Sequence, residues 1–197
     1  MTPEIGNVKG ILGLDLSLNH LIGQIPKEFG KLTSLIRLLV QNNSISGNIP
    51  GKFLSLAKLE SLDLSDNRLN GLIPTCIGDF VHLFQLKLRN NKFGKNIPME
   101  IGKMTHLLGD ISPQLANLKV LVDLNLSHNG LSGHIPEEVE SMTGLQVVFL
   151  SYNELEGPIP NNKAFITASL QGNKGLFGNL TGLQPCERPL KNSIVKR

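Results

Sequence analysis

The chain has 197 residues, of which 40% are hydrophobic, and this is enough apolar surface to form a continuous core, which excludes a disordered chain. Only 5% of the residues are aromatic and Trp is absent, so the interior must be built mainly from aliphatic side chains. The formal net charge of +3 is spread along the sequence apart from a small cluster between Lys191 and Arg197, which excludes the basic stripe that nucleic acid binding requires.

The start of the chain already shows a recurring pattern. Residues Pro3 to Val8 match a segment that returns later as Pro113 to Leu118, so the chain is expected to begin inside a structural repeat. We recognise no signal peptide after Met1, and no stretch approaches the roughly 18 apolar residues of a membrane helix. An uncapped first repeat would expose its apolar layer, so we expect the C-terminal portion of a longer protein.

The dominant feature is the pattern L-x-x-L-x-L-x-x-N, which recurs six times with Ile or Val at some Leu positions. The central alternation predicts a short strand with its apolar side chains inward, and strands from successive copies must pair as a parallel sheet. The closing Asn is expected to bond to backbone groups of adjacent coils. These residues are Asn19, Asn43, Asn67, Asn91, Asn129 and Asn153, spaced by 24 residues except between the fourth and fifth.

A second pattern, L-x-G-x-I-P, follows five of the six Asn residues, as at Leu21 to Pro26. Glycine permits backbone conformations that other residues resist, and proline suits the first turn of a helix. Each coil is therefore expected to bend at Gly, run briefly extended and enter a short helix, as in Lys27 to Leu32 with Phe29 and Leu32 inward.

The combined pattern resembles the plant-specific leucine-rich repeat (LRR) of receptor-like kinases, receptor-like proteins and polygalacturonase inhibitors. This resemblance implies an α/β solenoid, a right-handed superhelix with a parallel sheet on the concave face and short helices or 3-10 turns on the convex face. It divides the chain into repeats over 1–160, with about six full coils and one truncated coil near 92–120, a C-terminal cap over 161–187 and a flexible basic tail over 188–197.

The spacing breaks between Asn91 and Asn129, which are 38 residues apart, ten short of two repeats. Either the strands near Leu83 and Leu121 pair directly while about 14 residues loop out, or the sheet is interrupted. We expect direct pairing because unpaired strand edges in a buried wall are costly. A mis-joined coding sequence explains the gap more simply than a loop that carries a binding site. In the same region Gly94-Lys95 replaces the x-Gly of the other copies.

The segment from Gly172 to Cys186 resembles the C-terminal cap of plant receptor-like kinase ectodomains, which normally contains two Cys joined by a disulfide. Phe177 stands where the first Cys is expected, so Cys186 is predicted to be a free thiol. Cys76 lies several coils away and is expected to be a buried apolar side chain. The sequence contains no recognisable metal, cofactor or kinase motif, so we expect no enzymatic activity, and any kinase domain would lie outside this chain.

The candidate binding surface is the outward face of the concave sheet, at positions two, four and six before each Asn. Lys87 and Arg89 face the same way, which resembles the paired basic residues by which some plant peptide receptors hold a ligand's terminal carboxylate; simple solvation is the alternative. Val147, Phe149 and Tyr152 form an apolar patch where co-receptors of the family contact the solenoid, although packing by the cap explains it equally well. The candidate ligand-binding residues are Arg37, Gln41, Asp63, Gln85, Lys87, Arg89, Asp123, Asn125, Phe149 and Tyr152.

Three N-x-S/T triplets predict glycosylation at Asn42, Asn125 and Asn179 if the protein is secreted. A glycan on Asn125 would stand on the concave face and narrow the surface available to a ligand.

The resemblance implies a fragment of a receptor-like kinase ectodomain at the extracellular face of the plasma membrane, which binds a peptide or protein ligand and an LRR co-receptor. We expect no contact of this chain with nucleic acid or with the membrane itself. The alternatives are a secreted inhibitor of the polygalacturonase-inhibitor type and a truncated receptor product without independent function. The Gly-Asn-Lys-Gly-Leu run in the cap favours the receptor kinases over the inhibitors.

Overall fold

The structure is a computed structural model that describes residues 1–103 and 121–178. Over these ranges each coil contributes a short strand, a turn at the Asn, a second short strand and a 3-10 helix. The 3-10 helices are η1 (Pro3–Asn7), η2 (Lys27–Lys31), η3 (Gly51–Ser55), η4 (Thr75–Asp79), η5 (Met99–Lys103), η6 (Glu137–Ser141) and η7 (Lys163–Thr167). The helices η2 to η6 begin directly after a proline, as the sequence predicts, whereas η1 begins at Pro3 and η7 begins three residues after Pro160.

The first strand of each coil joins a six-stranded parallel sheet on the concave face. Its strands, in spatial and chain order, are β1 (Gly13–Asp15), β3 (Arg37–Leu39), β5 (Ser61–Asp63), β7 (Gln85–Lys87), β9 (Asp123–Asn125) and β11 (Val147–Phe149). The middle residues of these strands stand in register, with Leu38 opposite Leu62 and Leu62 opposite Leu86. These three side chains are fully buried, so the stacked leucines form the continuous core that the repeat predicts.

The second strand of each coil joins a seven-stranded parallel sheet, which we call the second sheet. Its strands, in spatial order, are β13 (Gly175–Phe177), β12 (Glu154–Pro158), β10 (Gly130–His134), β8 (Lys92–Lys95), β6 (Arg68–Gly71), β4 (Ser44–Gly47) and β2 (Ile22–Gln24). The sequence predicted a brief extended run after the Gly, whereas β4 and β6 end at the Gly itself, and it did not predict that these strands pair with one another. They pair because their backbone groups stack at the same repeat spacing as those of the concave strands.

The irregular 38-residue spacing does not interrupt either sheet, and the expectation of direct pairing is confirmed. In the concave sheet Gln85 pairs with Asp123 and Lys87 with Asn125, and the Leu88 amide donates to the Asn125 carbonyl at 2.8 Å. In the second sheet β8 pairs directly with β10. The coils on either side of residues 104–120 therefore stack as neighbours.

The C-terminal end of the described chain is covered by η7 and β13. Asn162 precedes η7, and its side chain accepts from the Ala164 amide at 2.9 Å and donates to the Val139 carbonyl at 2.9 Å. Phe165 and Leu176 bury their side chains against the last coil. Within the described ranges, no helix has the length and apolarity needed to cross a bilayer.

Candidate functional site

The predicted Asn ladder positions the concave sheet, as Asn67 illustrates. Its side-chain oxygen accepts from the Ile45 amide of the preceding coil at 3.0 Å. Its Nδ2 donates to the Val40 carbonyl of that coil at 2.9 Å, and to the Leu64 and Ser65 carbonyls of its own coil at 3.3 and 3.0 Å. The side chain is 9% exposed, so one amide satisfies buried backbone groups in two coils at once.

The same bonds recur along the solenoid. Four more predicted residues bridge two coils in this way: Asn43, Asn91, Asn129 and Asn153. Asn19 differs, because the bonds described for its side chain go only to Leu16 and Ser17 in its own coil. A further bridge that the 24-residue spacing missed is made by Asn173, which accepts from the Leu155 amide at 3.1 Å. The L-x-x-N run from Leu170 to Asn173 was the available signal.

The residue before each ladder Asn adopts a left-handed conformation that turns the chain away from the concave sheet. The φ angles lie between 52° and 56° at these non-glycine positions, which are Leu18, Asn42, Asp66, Asn90, His128 and Tyr152. Asn and Asp tolerate this region better than other side chains. The chain therefore turns at the same place after each concave strand, and the non-glycine residue at that turn carries local backbone strain.

The outward residues of the concave strands differ in exposure. Arg37, Arg89 and Phe149 are exposed, whereas the remaining predicted concave residues are half-buried: Gln41, Asp63, Gln85, Lys87, Asp123 and Asn125. The structure therefore brings all of these predicted side chains onto one face, over neighbouring strands from β3 to β11 and the residues that follow them.

Four serines at outward positions of the concave strands are buried and not open to solvent. Ser61, Ser65, Ser127 and Ser151 are only 4–6% exposed. The Ser61 hydroxyl donates to Gln85 Oε1 on the neighbouring strand at 3.0 Å. In two coils the backbone amide of the serine donates to a side chain two residues earlier, Ser65 to Asp63 Oδ1 at 3.0 Å and Ser127 to Asn125 Oδ1 at 3.2 Å. These short polar residues order the face more than they offer contacts to a ligand.

Asp15 shows the same local turn at the first coil. Its Oδ1 accepts from the Ser17 hydroxyl at 2.6 Å and from the Ser17 amide at 3.0 Å. These hydrogen bonds lower the pKa of the Asp15 carboxyl below its usual value, and Arg37 adds a smaller effect in the same direction.

Lys87 and Arg89, the predicted pair of cations, are not equivalent. Lys87 Nζ lies 3.5 Å from Asp123 Oδ2, across the junction between β7 and β9. Among the described residues, Arg89 has no such acidic partner and its side chain is exposed. The pair was predicted from the spacing of its two residues alone, and the contact of Lys87 with Asp123 depends on the register across the irregular spacing.

The predicted apolar patch at the C-terminal end is exposed, with Val147 at 37%, Phe149 at 40% and Tyr152 at 51%. Tyr152 lies beyond β11 in the left-handed turn and not on the concave strand itself. Its ring stacks on His128 of the preceding coil, with ring centroids 4.4 Å apart. The patch therefore extends from strand β11 of the concave sheet to the turn that follows it.

The predicted modification sites occupy different surroundings. Asn42 is exposed in its turn, whereas the side-chain oxygen of Asn125 is bonded to both the hydroxyl and the amide of Ser127. Asn179 and Cys186 lie outside the described residues.

Cys76 is half-buried in η4 and not fully buried as expected. Burial raises the pKa of its thiol, and the Asp79 carboxylate adds to this. Among the described residues, no group of three or more His, Cys, Asp or Glu side chains could hold a metal ion.

The repeat geometry agrees with two family models. One, described as Leucine rich repeat, matches residues 34–93, and a second of the same description matches residues 11–32 and 120–142, together more than half of the chain. The chain belongs to the leucine-rich repeat family. Over 90 residues it is 38% identical to a probable LRR receptor-like serine/threonine-protein kinase of Arabidopsis thaliana, a match that covers 43% of this chain and 9% of the kinase.

Solved LRR structures from Arabidopsis share the fold. The ectodomain of the receptor kinase HAESA, in complex with an N-terminally extended IDA peptide hormone, aligns with a TM-score of 0.75 and 37% identity over 91% of this chain and 28% of that chain. A chain of the BIR3–SERK2 complex aligns with a TM-score of 0.61 and 34% identity over 77% of this LRR chain and 74% of that one. The chain thus spans less than a tenth of the curated relative and under a third of the HAESA ectodomain.

Proposed function

We propose that this chain is a ligand-binding LRR module from the extracellular part of a plant receptor-like kinase, and that it recognises a peptide or protein on its concave sheet. The observation that carries the proposal is the contrast between the two sides of that sheet. The middle leucines of β3, β5 and β7 are fully buried, whereas Arg37, Asp63 and Lys87 beside them carry charge and remain in contact with solvent. A rigid backbone with a varied polar face is the usual form of a solenoid binding surface.

The relatives support the same function. HAESA, whose ectodomain shares the fold, was solved with a peptide hormone. The BIR3–SERK2 match supports a protein partner, because that structure is a complex of two proteins. We propose that a co-receptor contacts the apolar patch at its Tyr152 end, beyond β11, and that the module lies at the extracellular face of the plasma membrane.

Within the concave face, Arg89 is the best candidate to hold an anionic group of the ligand. Its guanidinium is exposed, its neighbours Ser65 and Ser127 on the adjacent coils are short, and Lys87 beside it is already paired with Asp123. A guanidinium can bind a carboxylate through two parallel hydrogen bonds.

The test measures peptide binding by the recombinant chain, by calorimetry, with peptides that end in a free carboxylate and with the same peptides amidated. We expect Arg89→Ala to weaken binding of the free-acid peptides by roughly tenfold or more, and Lys87→Ala to have a smaller effect. Arg68→Ala removes an exposed Arg from the second sheet and serves as the matched control. Equal losses for Arg89→Ala and Arg68→Ala would remove Arg89 from the site, and a failure of the chain to bind any peptide would contradict the function.

A further inference from the structure

We propose that Asp123, together with Val147 and Phe149, forms a subsite on the concave sheet for a basic side chain, Lys or Arg, of a peptide ligand. This inference rests on the proposed function and names the ligand chemistry that one part of the surface selects. It assigns to Asp123 a role opposite in charge to that of Arg89.

Asp123 lies at the end of a polar network that crosses three strands of the concave sheet. The Ser61 hydroxyl donates to Gln85 Oε1 at 3.0 Å, and Gln85 Nε2 donates to Asp123 Oδ2 at 3.2 Å. Lys87 Nζ lies 3.5 Å from the same Oδ2. Both donors therefore act on one oxygen of the carboxylate.

The other oxygen, Asp123 Oδ1, is buried and has no hydrogen-bond partner among the described residues. A buried carboxylate oxygen without a donor is unfavourable, and a donor supplied by a ligand removes that penalty. Lys87 does not supply it, because its ammonium sits near the outer limit for an ion pair and reaches only Oδ2. Among the described residues, Oδ1 of the Asp123 carboxylate therefore has no hydrogen-bond donor in the free protein.

A basic side chain reaches this carboxylate from the open side of the sheet. The Lys87 side chain is 32% exposed and that of Asp123 is 20% exposed, so the pair is accessible and the flexible Lys87 stem can move aside. The carboxylate can then rotate and offer both oxygens to an incoming guanidinium, which binds them at the same time. An ammonium makes a weaker version of the same contact.

The strand next to Asp123 supplies an apolar surface for the stem of that basic side chain. Val147 pairs directly with Asp123 in the register of β9 and β11, and Phe149 is the next outward residue on β11. Both are exposed, at 37% and 40%. Lys and Arg lay their methylene groups on apolar surface while the charged end finds a partner, and a cation above an aromatic face gains further stabilisation.

The experiment selects binders to the recombinant chain from a random library of synthetic dodecapeptides and counts Lys and Arg in the bound peptides. We expect the parent chain to enrich both residues, and Asp123→Asn to retain bound peptides but lose the enrichment. Glu154→Gln makes the same change of charge at an exposed position of the second sheet and should keep the enrichment. Thermal unfolding followed by circular dichroism establishes that each variant is folded.

A second variant tests the site in the opposite direction. Lys87→Met removes the internal competitor of the ligand, so the affinity for a selected basic peptide should rise several-fold, whereas a merely structural ion pair would give no gain. For Asp123→Asn the affinity for that peptide should fall by roughly tenfold or more.

The outcomes separate the two proposals. If the parent captures no peptide at all, both the proposed function and this inference are overturned. If it captures peptides without enriching Lys and Arg, or if Asp123→Asn keeps the enrichment, only the subsite is overturned.

Discussion

At the scale of single residues, the ladder amide is the most constrained side chain of a coil, because it bonds to backbone groups of two coils at once. We expect Asn67→Ala to lower the free energy of unfolding by about 2–4 kcal/mol, since it leaves the Ile45 amide buried without an acceptor and removes one of the two side-chain donors to the Val40 carbonyl. Asn19→Ala is the matched control. Its bonds stay within its own exposed coil, so its loss should be about 1 kcal/mol or less. Urea unfolding measures both, and equal losses would contradict the ladder as the cause.

Lys95 is a residue-scale irregularity with a stability consequence. It has φ of 62° at the position where the other coils place Gly, such as Gly71 with φ of 80°. A left-handed Lys is strained, so we expect Lys95→Gly to raise the free energy of unfolding by about 1 kcal/mol.

Lys92→Gly, in the same strand and without a positive φ, is the control for that prediction. It should lower the free energy of unfolding by about 0.5–1 kcal/mol, because glycine gains chain entropy on unfolding and relieves no strain there. Chemical unfolding curves of the two variants measured side by side should shift in opposite directions. A shift of Lys95→Gly towards lower denaturant would show that the left-handed turn carries no cost.

At the scale of elements, the sequence predicted most of what the repeat itself dictates. The concave strands, the 3-10 helices after proline and the direct pairing at the short spacing follow from periodicity and from the cost of open strand edges. The second sheet was missed because its strands of three to five residues carry no strand signature of their own; they pair only because the coils stack. The Asn173 bridge was missed because it comes 20 residues after Asn153 and not 24.

The candidate surface was predictable in position but not in its interactions. The frame placed Arg37 to Phe149 on one face, yet it could not give the contact between Lys87 and Asp123. That contact depends on which residues become neighbours across the 38-residue spacing, and this is settled by the register of β7 and β9. The hydrogen bond from the Ser61 hydroxyl to Gln85 likewise joins side chains of adjacent coils.

The junction between β7 and β9 makes a prediction for hydrogen exchange. The Val122 amide donates to the Phe84 carbonyl at 2.8 Å, as the Phe84 amide donates to the Glu60 carbonyl at 2.9 Å in the regular neighbouring coil. We expect the amides of Val122 and Phe84 to show protection within about tenfold of each other, because the same ladder bond must open in both. Exchange at Val122 as fast as in unstructured peptides would show that the sheet opens at the junction.

At the scale of the whole molecule, the two ends of the described solenoid differ. At the C-terminal end Ser169 bridges to Phe149 beside β11, and the cap buries Leu170 and Leu176. At the other end β1 and β2 are edge strands of the two sheets, and Leu18 and Ile22 are 77% and 72% exposed. A solenoid is held together by contacts between neighbouring coils, so the first coil presents both unpaired backbone and apolar side chains.

This asymmetry predicts that the recombinant chain self-associates through its first coil. Leu18→Lys combined with Ile22→Lys should shift the chain towards monomer, because it places charge on the exposed edge without entering the core. Thr75→Lys combined with Thr143→Lys adds the same charge at exposed positions elsewhere and should leave association as in the parent. Sedimentation velocity over a range of concentrations distinguishes these outcomes. A parent chain that stays monomeric throughout would show that the open edge does not drive association. An equal effect of the two double variants would show that added charge in general, and not the edge, changes association.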